Sequence, residues 1–317
     1  MIDNYGRDIN YIRISVTELC NLRCRYCMPE EGIEKRAHDE MMTAEETLAA
    51  AKAAVSLGIS KIRITGGEPL VKRGIVRLCR EIAAIEGVEE LCITTNGTLL
   101  REFAKPLREA GVNRINISID TLKPEKFTYI TRLGRLEDVL DGIDAVFEAG
   151  FEKIKLNVVL MGGFNDDEIG DFVSMTEDRA LEIRFIELMP IGGGIEFDKA
   201  GFISCETVLE KVPELVPLGI TDGVASIYAL PGAKGRVGLI RPISCEFCSG
   251  CNKIRLTADG MLKPCLHLDG EISIKGLAEE DMAGVMKKAI LDKPQTRDMM
   301  DADNPSRAGR NMNRIGG

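Results

Sequence analysis

Six short segments of the chain alternate apolar and polar residues, and stretches with helical periodicity separate them. The predicted strands are 10–16, 61–65, 91–95, 114–120, 154–160 and 182–188. The predicted helices are 43–58, 74–86, 99–110, 135–149 and 165–178, with capping-box spacings at Thr43 and Asn165. Because strands that alternate with helices form parallel sheets, this order predicts an α/β fold, either an open Rossmann sheet or a partial barrel.

The alternation of side chains between the two faces of each strand distinguishes these two architectures. In 114–120, Arg114, Asn116 and Ser118 share one face, and isoleucines occupy the other. The matching polar positions of the other strands include Arg13, Arg63, Lys155 and Arg184. A doubly wound open sheet is covered on both faces and is apolar throughout. One polar, cationic face therefore favours a curved sheet, a partial barrel with a wet, anion-binding interior.

The distinctive loops all follow predicted strands. They are 20–27, 66–69, 95–97, 120–121, 161–163 and 189–194. Active sites of barrels are built at the carboxyl ends of the strands. We therefore expect the functional residues at that end of the barrel.

Three cysteines, Cys20, Cys24 and Cys27, follow the first predicted strand at positions i, i+4 and i+7. Thiols this dense, in a chain without secretory features, are typical of metal ligands rather than disulfides. An iron–sulfur cube prefers four thiolates, and the next cysteine is Cys79. The spacing indicates either a [4Fe–4S] cluster with one open iron or a zinc site completed by a distant residue.

A second cysteine group lies beyond residue 195, where the strand–helix alternation stops. We predict domains at 1–195 and 196–292, followed by a polar tail at 293–317 that composition alone describes as flexible. Cys248, Cys251 and Cys265 repeat the three-thiol pattern, and Cys245 precedes them. This group is either a four-cysteine zinc site or a second cluster with an open iron.

Composition narrows the function classes. The chain has 317 residues, 44% of them apolar, with a net charge of −9, ten cysteines and no tryptophan. Non-specific nucleic-acid binding needs basic surface, so this charge argues against it. Neither a secretory signal nor an apolar run of membrane-spanning length is present, and we expect a cytoplasmic protein.

The motif Cys20-x3-Cys24-x2-Cys27, with Tyr26 inside it, resembles the cluster motif of the radical S-adenosylmethionine (SAM) enzymes. The glycine turn at 66–69 resembles their SAM-binding turn. Within that superfamily the chain is similar to the GTP 3′,8-cyclase family nearly from end to end. The matching segments are 13–17, 27–29, 63–69, 94–97, 185–190, 251–260 and 316–317.

This resemblance implies a partial (β/α)6 barrel, similar to a TIM barrel, followed by a cluster-binding C-terminal region. It implies SAM and two [4Fe–4S] clusters, held by Cys20, Cys24 and Cys27 and by Cys248, Cys251 and Cys265. A 5′-deoxyadenosyl radical would take hydrogen from ribose C3′ of GTP, and C3′ would join C8. The product would be 3′,8-cyclo-7,8-dihydro-GTP, and an enzyme that forms it is a lyase of molybdenum cofactor biosynthesis.

The resemblance also implies roles for individual residues. SAM contacts fall on Tyr26, Gly67, Ser118 and Met189. GTP contacts fall on Arg13, Arg63, Thr94, Lys155, Lys253, Ile254 and Arg255, and strand parity adds Arg184. Catalysis would depend on the first cysteine triad, on Arg13 and on Gly316 and Gly317, which would enter the barrel.

Two positions depart from the family pattern. Lys253 replaces an arginine, which keeps the charge but loses the fork geometry of a guanidinium group. Cys245 is extra, and we expect it not to be a ligand, since a fourth thiolate would block the open iron.

The resemblance also implies partners of the protein, and the sequence leaves two alternative functions open. An electron donor and a downstream pterin synthase are expected, with a homodimer as one option and with no nucleic acid or membrane. The alternatives are another radical SAM enzyme, acting on a peptide or RNA, and a non-enzymatic zinc or redox-sensing module.

Overall fold

A computed structural model describes residues 1–34, 36–192, 201–245, 247–297 and 305–316. Its first half alternates strands and helices as the periodicity predicts. The strands are β1 (Tyr11–Ser15), β2 (Lys61–Thr65), β3 (Glu90–Thr95), β4 (Arg114–Ser118), β5 (Lys153–Leu160) and β6 (Glu182–Glu187). The helices are α1 (Ala44–Ser56), α2 (Ile75–Ala83), α3 (Leu100–Glu109), α4 (Pro124–Thr131), α5 (Leu136–Glu148) and α6 (Ile169–Asp178).

The second half contributes mainly strands. They are β7 (Val216–Asp222), β8 (Ala225–Ala229), β9 (Arg236–Ile240), β10 (Lys253–Leu256), β11 (Met261–Lys263) and β12 (Ile272–Ser273). The helices are α7 (Glu206–Lys211) and α8 (Glu279–Leu291). Among the described residues, no helix has the length and apolar character that crossing a membrane requires.

All these strands belong to one sheet, in the order β12-β11-β10-β1-β2-β3-β4-β5-β6-β9-β8-β7. Strands β1 to β6 are parallel neighbours in chain order, which is the (β/α)6 arrangement. β10 extends them beyond β1, and β9 extends them beyond β6, both in parallel. The fold is thus the predicted partial barrel, widened at both edges by the C-terminal region. The predicted domain boundary at residue 195 lies outside the described residues and stays a prediction.

The apolar face of the barrel strands forms the core against the helices. Isoleucines on this face, among them Ile14, Ile64 and Ile117, have no exposed surface. At the start of α1, Thr43 Oγ1 accepts the Glu46 amide at 3.1 Å, and the Glu46 carboxylate accepts the Thr43 amide at 2.8 Å. The predicted capping box at Thr43 is confirmed.

The second predicted capping box is wrong. α6 begins at Ile169 rather than at 165. The Asn165 carboxamide donates to the carbonyls of Asp120 and Val159 at 2.7 and 2.8 Å and accepts the Met161 amide. These bonds tie together the ends of two strands, and they replace the cap. Helix α4 is an element that the periodicity did not predict.

Helix α5 approaches the loop after β3 so closely that only glycine fits at the contact. A Cβ atom at Gly142 would lie 2.5 Å from the carbonyl oxygen of Gly97 and 3.0 Å from Cβ of Leu100. Gly284 in α8 has open space around the same position. The two glycines therefore form a matched pair, one constrained by packing and one not.

We expect Gly142→Ala to lower the free energy of unfolding by about 1–3 kcal/mol, because the added methyl overpacks the contact. Gly284→Ala should raise that free energy by about 0.5–1 kcal/mol, because alanine has the higher helix propensity. Melting temperatures of the two variants and the parent chain, measured without oxygen, check the pair. Equal shifts in both variants would contradict the packing argument.

Candidate active site

The polar face of the barrel strands surrounds a cavity of about 360 Å³. Its wall includes Arg13, Arg63, Thr94, Arg114, Asn116 and Arg184. The polar, cationic lining predicted from strand parity is therefore present, and anion binding in this cavity stays a prediction.

The first cysteine triad lies at one end of this cavity. Cys20, Cys24 and Cys27 all line it. In the loop that carries them, the Cys27 amide donates a hydrogen bond of 2.9 Å to the Cys24 carbonyl and closes a turn. Burial raises the pKa of Cys24 well above its usual range and that of Cys27 to about 12. Thiols so placed deprotonate when a metal coordinates them. The donors fit an iron–sulfur cluster with one open iron.

The glycine turn at 66–69 packs directly under this loop. The Gly67 amide donates to the Thr17 carbonyl at 2.7 Å, and a Cβ atom at Gly67 would lie 2.4 Å from the Leu19 carbonyl oxygen. The carboxylate of Glu68 has no exposed surface and accepts bonds from the Thr95 hydroxyl and the Asn96 amide. Burial raises the pKa of Glu68 to about 7. The turn is thereby held at the edge of the cavity.

The four residues expected to bind SAM are brought together. Tyr26, Gly67, Ser118 and Met189 all line the cavity. The Tyr26 hydroxyl donates to the Asp120 carboxylate at 2.7 Å, which fixes the ring. Burial raises the pKa of Asp120 to about 6. The sequence interpretation placed Asp120 at the site but gave it no role.

The second cysteine triad lines the same cavity. Cys248, Cys251 and Cys265 contribute to its wall, whereas Cys245 is exposed. Burial raises the pKa of the Cys251 thiol, but the nearby ammonium groups of Lys293 and Lys253 outweigh burial and leave that pKa below its usual range. A thiol favoured as thiolate in this way is suited to binding iron. No set of three His, Cys, Asp or Glu side chains in the described ranges is arranged to hold a single metal ion.

Two cations that the sequence interpretation missed hold the loops of this triad. Arg7 donates to the carbonyl oxygens of Cys248 and Pro294 at 2.9 and 2.8 Å. Lys293, 3% exposed, donates to the carbonyl oxygens of Lys253 and Pro264 at 3.0 and 2.5 Å. Neither residue belongs to a sequence motif, so their role in holding these loops is visible only in the structure.

Cations predicted to bind GTP cluster between the two triads. Arg13, Arg63, Lys253 and Arg255 line the cavity. Burial lowers the pKa of Arg13 well below its usual range, and repulsion from Arg255 and Arg63 lowers it further. Burial and repulsion from Arg13 and Arg255 likewise lower the pKa of Lys253 to about 7. A bound anion would relieve this repulsion. Ile254, between the last two cations, points into the core and has no exposed surface.

Lys155 and Arg184 differ from the other predicted GTP contacts, because carboxylates already pair with them. The Lys155 ammonium lies 3.1 Å from the Glu182 carboxylate and also contacts Asp222. Arg184 contacts the same two carboxylates, Asp222 at 3.0 Å. Burial and repulsion from Arg184 lower the pKa of Lys155 to about 8. Their contact with GTP stays a prediction.

The tail runs back to the cavity wall. The Arg255 guanidinium donates to the carbonyl oxygens of Ile315 and Gly316 at 3.2 and 3.0 Å. Arg310 anchors the tail through Asp259 at 2.8 Å and through Glu271 at 2.6 Å. The flexible tail predicted for 293–317 is wrong for the described residues 293–297 and 305–316, since the buried Lys293, ion pairs and hydrogen bonds hold them. Gly317 lies outside the described residues.

The sequence matches two families along its length. The radical SAM superfamily matches residues 14–176, and Molybdenum Cofactor Synthesis C matches residues 181–299. The partial barrel with a Cys-x3-Cys-x2-Cys loop after its first strand thus has the fold and site of a radical SAM enzyme.

Curated relatives specify the family within this class. The chain is similar to "GTP 3',8-cyclase" of Peptoclostridium acidaminophilum, with 53% identity over 100% of this chain and 98% of the relative. It is similar to the protein of the same name from Alkaliphilus oremlandii, with 50% identity over 100% of both chains. The chain belongs to the GTP 3′,8-cyclase family. Its cofactors are SAM and two [4Fe–4S] clusters, which argues against the alternative of a zinc or redox-sensing module.

Solved structures agree with this fold. Streptococcus suis SuiB bound to S-adenosylmethionine matches with a TM-score of 0.64 and 15% identity, over 91% of this chain and 67% of that chain. SuiB bound to its precursor peptide SuiA matches with a TM-score of 0.63 over 92% of this chain and 66% of that chain. At this identity the likeness supports the barrel architecture alone.

We expect Cys245→Ala to keep about eight irons per chain, because an exposed thiol outside the cavity is not needed by either cube. Cys248→Ala should fall to about four irons, because it removes a ligand of the second cluster only. Iron and sulfide assays after anaerobic reconstitution check both variants. A loss of iron in Cys245→Ala would mean that this thiol is a ligand and that the second cluster has no open iron.

Proposed function

We propose that this protein cyclises GTP to 3′,8-cyclo-7,8-dihydro-GTP, a radical SAM lyase reaction of molybdenum cofactor biosynthesis. One observation supports this function most strongly: both cysteine triads and a cluster of cations line a single cavity. The full-length identity to proteins named GTP 3',8-cyclase agrees with it.

The cations between the triads suit a triphosphate. Burial, together with repulsion from neighbouring cations, lowers the pKa of Arg13, Lys253 and Arg255, so a polyanion gains from this group of charges at once. The ring of Tyr11 makes cation–π contacts with Arg63, Lys61 and Lys253, which lie 5.4 to 5.8 Å from its centroid. This preorganised wall binds the phosphates without further rearrangement. Thr94, whose hydroxyl is buried and unpaired within the described residues, supplies a neutral contact.

We assign guanine binding to one end of the cavity and SAM binding to the other. Cys248, Cys251 and Cys265 would hold the second cluster, whose open iron would meet the guanine. Cys20, Cys24 and Cys27 would hold the first cluster, and Tyr26, Gly67, Ser118 and Met189 would hold SAM beside it. When bound, this pair supplies the 5′-deoxyadenosyl radical that removes hydrogen from ribose C3′. The barrel wall orients C3′ toward SAM and C8 toward C3′, and it keeps water from the reacting atoms.

Several finer expectations remain proposals that rest on the family. A separate electron donor would reduce the first cluster, and a pterin synthase would take the product onward. A cytoplasmic location fits thiolate-bound clusters, which need a reducing compartment. A homodimer is one option for the assembly. The domain division at residue 195 belongs with these proposals.

The tail offers a direct test of its proposed part in catalysis. Deleting Gly316 and Gly317 should abolish cyclisation while about eight irons remain, because it removes a carbonyl partner of Arg255 inside the barrel. Gly309→Ala is the matched control on the same tail, because a Cβ atom there meets nothing within 4 Å. Product analysis and iron assays check both variants. Full activity of the truncated protein would show that the tail is only a surface segment.

The reaction itself is tested with labelled substrate. Anaerobic incubation with SAM, a reductant and GTP deuterated at C3′ should move deuterium into 5′-deoxyadenosine and give one cyclised nucleotide. Mass spectrometry measures both products, and GTP deuterated at C2′ is the control that should transfer none. Unlabelled 5′-deoxyadenosine from the C3′ substrate, with no cyclised nucleotide, would refute the proposed function.

A further inference from the structure

Asn116, in the middle of β4, has a side chain without a partner in the substrate cavity. It has no exposed surface, and it contributes to the cavity wall. Neither the nitrogen nor the oxygen of its carboxamide has a hydrogen-bond partner among the described residues. A buried amide is normally paired, so an exception calls for a missing partner.

The neighbours of Asn116 do not supply that partner. By strand register it lies between Thr94 of β3 and Lys155 of β5. The Thr94 hydroxyl is itself buried and unpaired in the described part of the chain, and the Lys155 ammonium is taken by Glu182 and Asp222. The nearby Asn165 shows the contrast, because its carboxamide makes three hydrogen bonds to backbone.

The two unpaired atoms indicate the chemistry of the ligand. A carboxamide has a hydrogen-bond donor and an acceptor side by side, and a hydroxyl group can accept from the one and donate to the other. A phosphate oxygen only accepts, and the cations on the wall already suit it. Guanine also has a mixed edge, but it is assigned to the second cysteine triad beside β10. The sheet order puts β1, β2 and β3 between β10 and β4.

The position along β4 agrees with a ribose. Arg114, Asn116 and Ser118 face the cavity in turn, about 6.6 Å apart at the usual strand rise. Ser118 is the residue of this row proposed to contact SAM. Arg114, at the other end of the row, pairs with the Glu90 carboxylate at 2.7 Å. Asn116 therefore faces the space between SAM and the anion-binding wall, where the ribose must lie for its C3′ hydrogen to be removed.

We propose that Asn116 binds the ribose 2′-hydroxyl of the substrate and selects ribonucleotides over 2′-deoxyribonucleotides. This assignment rests on the proposed function. It makes Asn116 a substrate-contacting residue whose buried amide is satisfied only when the nucleotide is bound.

The experiment compares kcat/KM for GTP and for 2′-deoxyGTP in the parent enzyme, Asn116→Ala and the similarly sized Asn116→Leu. The parent should prefer GTP, and both substitutions should lower kcat/KM for GTP roughly 10- to 100-fold. They should leave kcat/KM for 2′-deoxyGTP nearly unchanged, so that the preference disappears. ITP, which lacks the guanine amino group but keeps the 2′-hydroxyl, is the control: both substitutions should lower kcat/KM for ITP and GTP by the same factor, so that the ITP-to-GTP ratio stays constant.

A second readout does not depend on turnover. Removing an unpaired buried amide should raise the melting temperature of the substrate-free Asn116→Leu variant above that of the parent. A parent enzyme without preference for GTP, or variants that lose both substrates equally, would overturn the assignment. Absence of cyclised product from GTP in the parent would instead refute the proposed function.

Discussion

The structure depends on positive charge held inside the barrel. Arg63 and Arg255 are 8% and 7% exposed, and both are register partners of Arg13 on the strand between them. Lys253 lines the same cavity. Burial lowers the pKa of Arg13 and of Lys253, and repulsion between these like charges lowers both further. The fold holds these groups in place with a sheet whose other face is a packed layer of isoleucines. The sheet thus holds these four cations around one cavity.

The same sheet places the two cysteine triads at opposite ends of that charge. The first triad follows the carboxyl end of β1. In the second triad, Cys248 and Cys251 precede β10, the parallel neighbour of β1, and Cys265 follows β11, the antiparallel neighbour of β10. The Tyr11 amide donates to the Asn252 carbonyl and joins the two chain segments at that end. A strand of five residues spans about 16 Å. The triads are therefore separated by roughly the length of a strand, with the cations along it.

Strand parity predicted the cavity wall well, because a period of two residues is visible in the sequence and survives folding. It placed Arg13, Arg63 and Asn116 on the inner face, where the structure has them. It could not reveal that Asp222 pairs with Lys155, because 67 residues separate these two partners and β7 adds to the sheet's edge. The spacing of the cysteines likewise did not show that the second triad lies at the opposite end of the cavity from the first. The rule that sites follow the carboxyl ends of the parallel barrel strands holds for the first triad and fails for Cys248 and Cys251, which precede β10.

An anaerobic crystal structure of the protein loaded with iron, sulfide, SAM and GTP tests the central claim most directly. We expect a cube on each cysteine triad, with SAM on one open iron, guanine on the other and the triphosphate against Arg13, Arg63 and Arg255. A triad without metal, or GTP bound outside the cavity between two filled triads, would contradict the account.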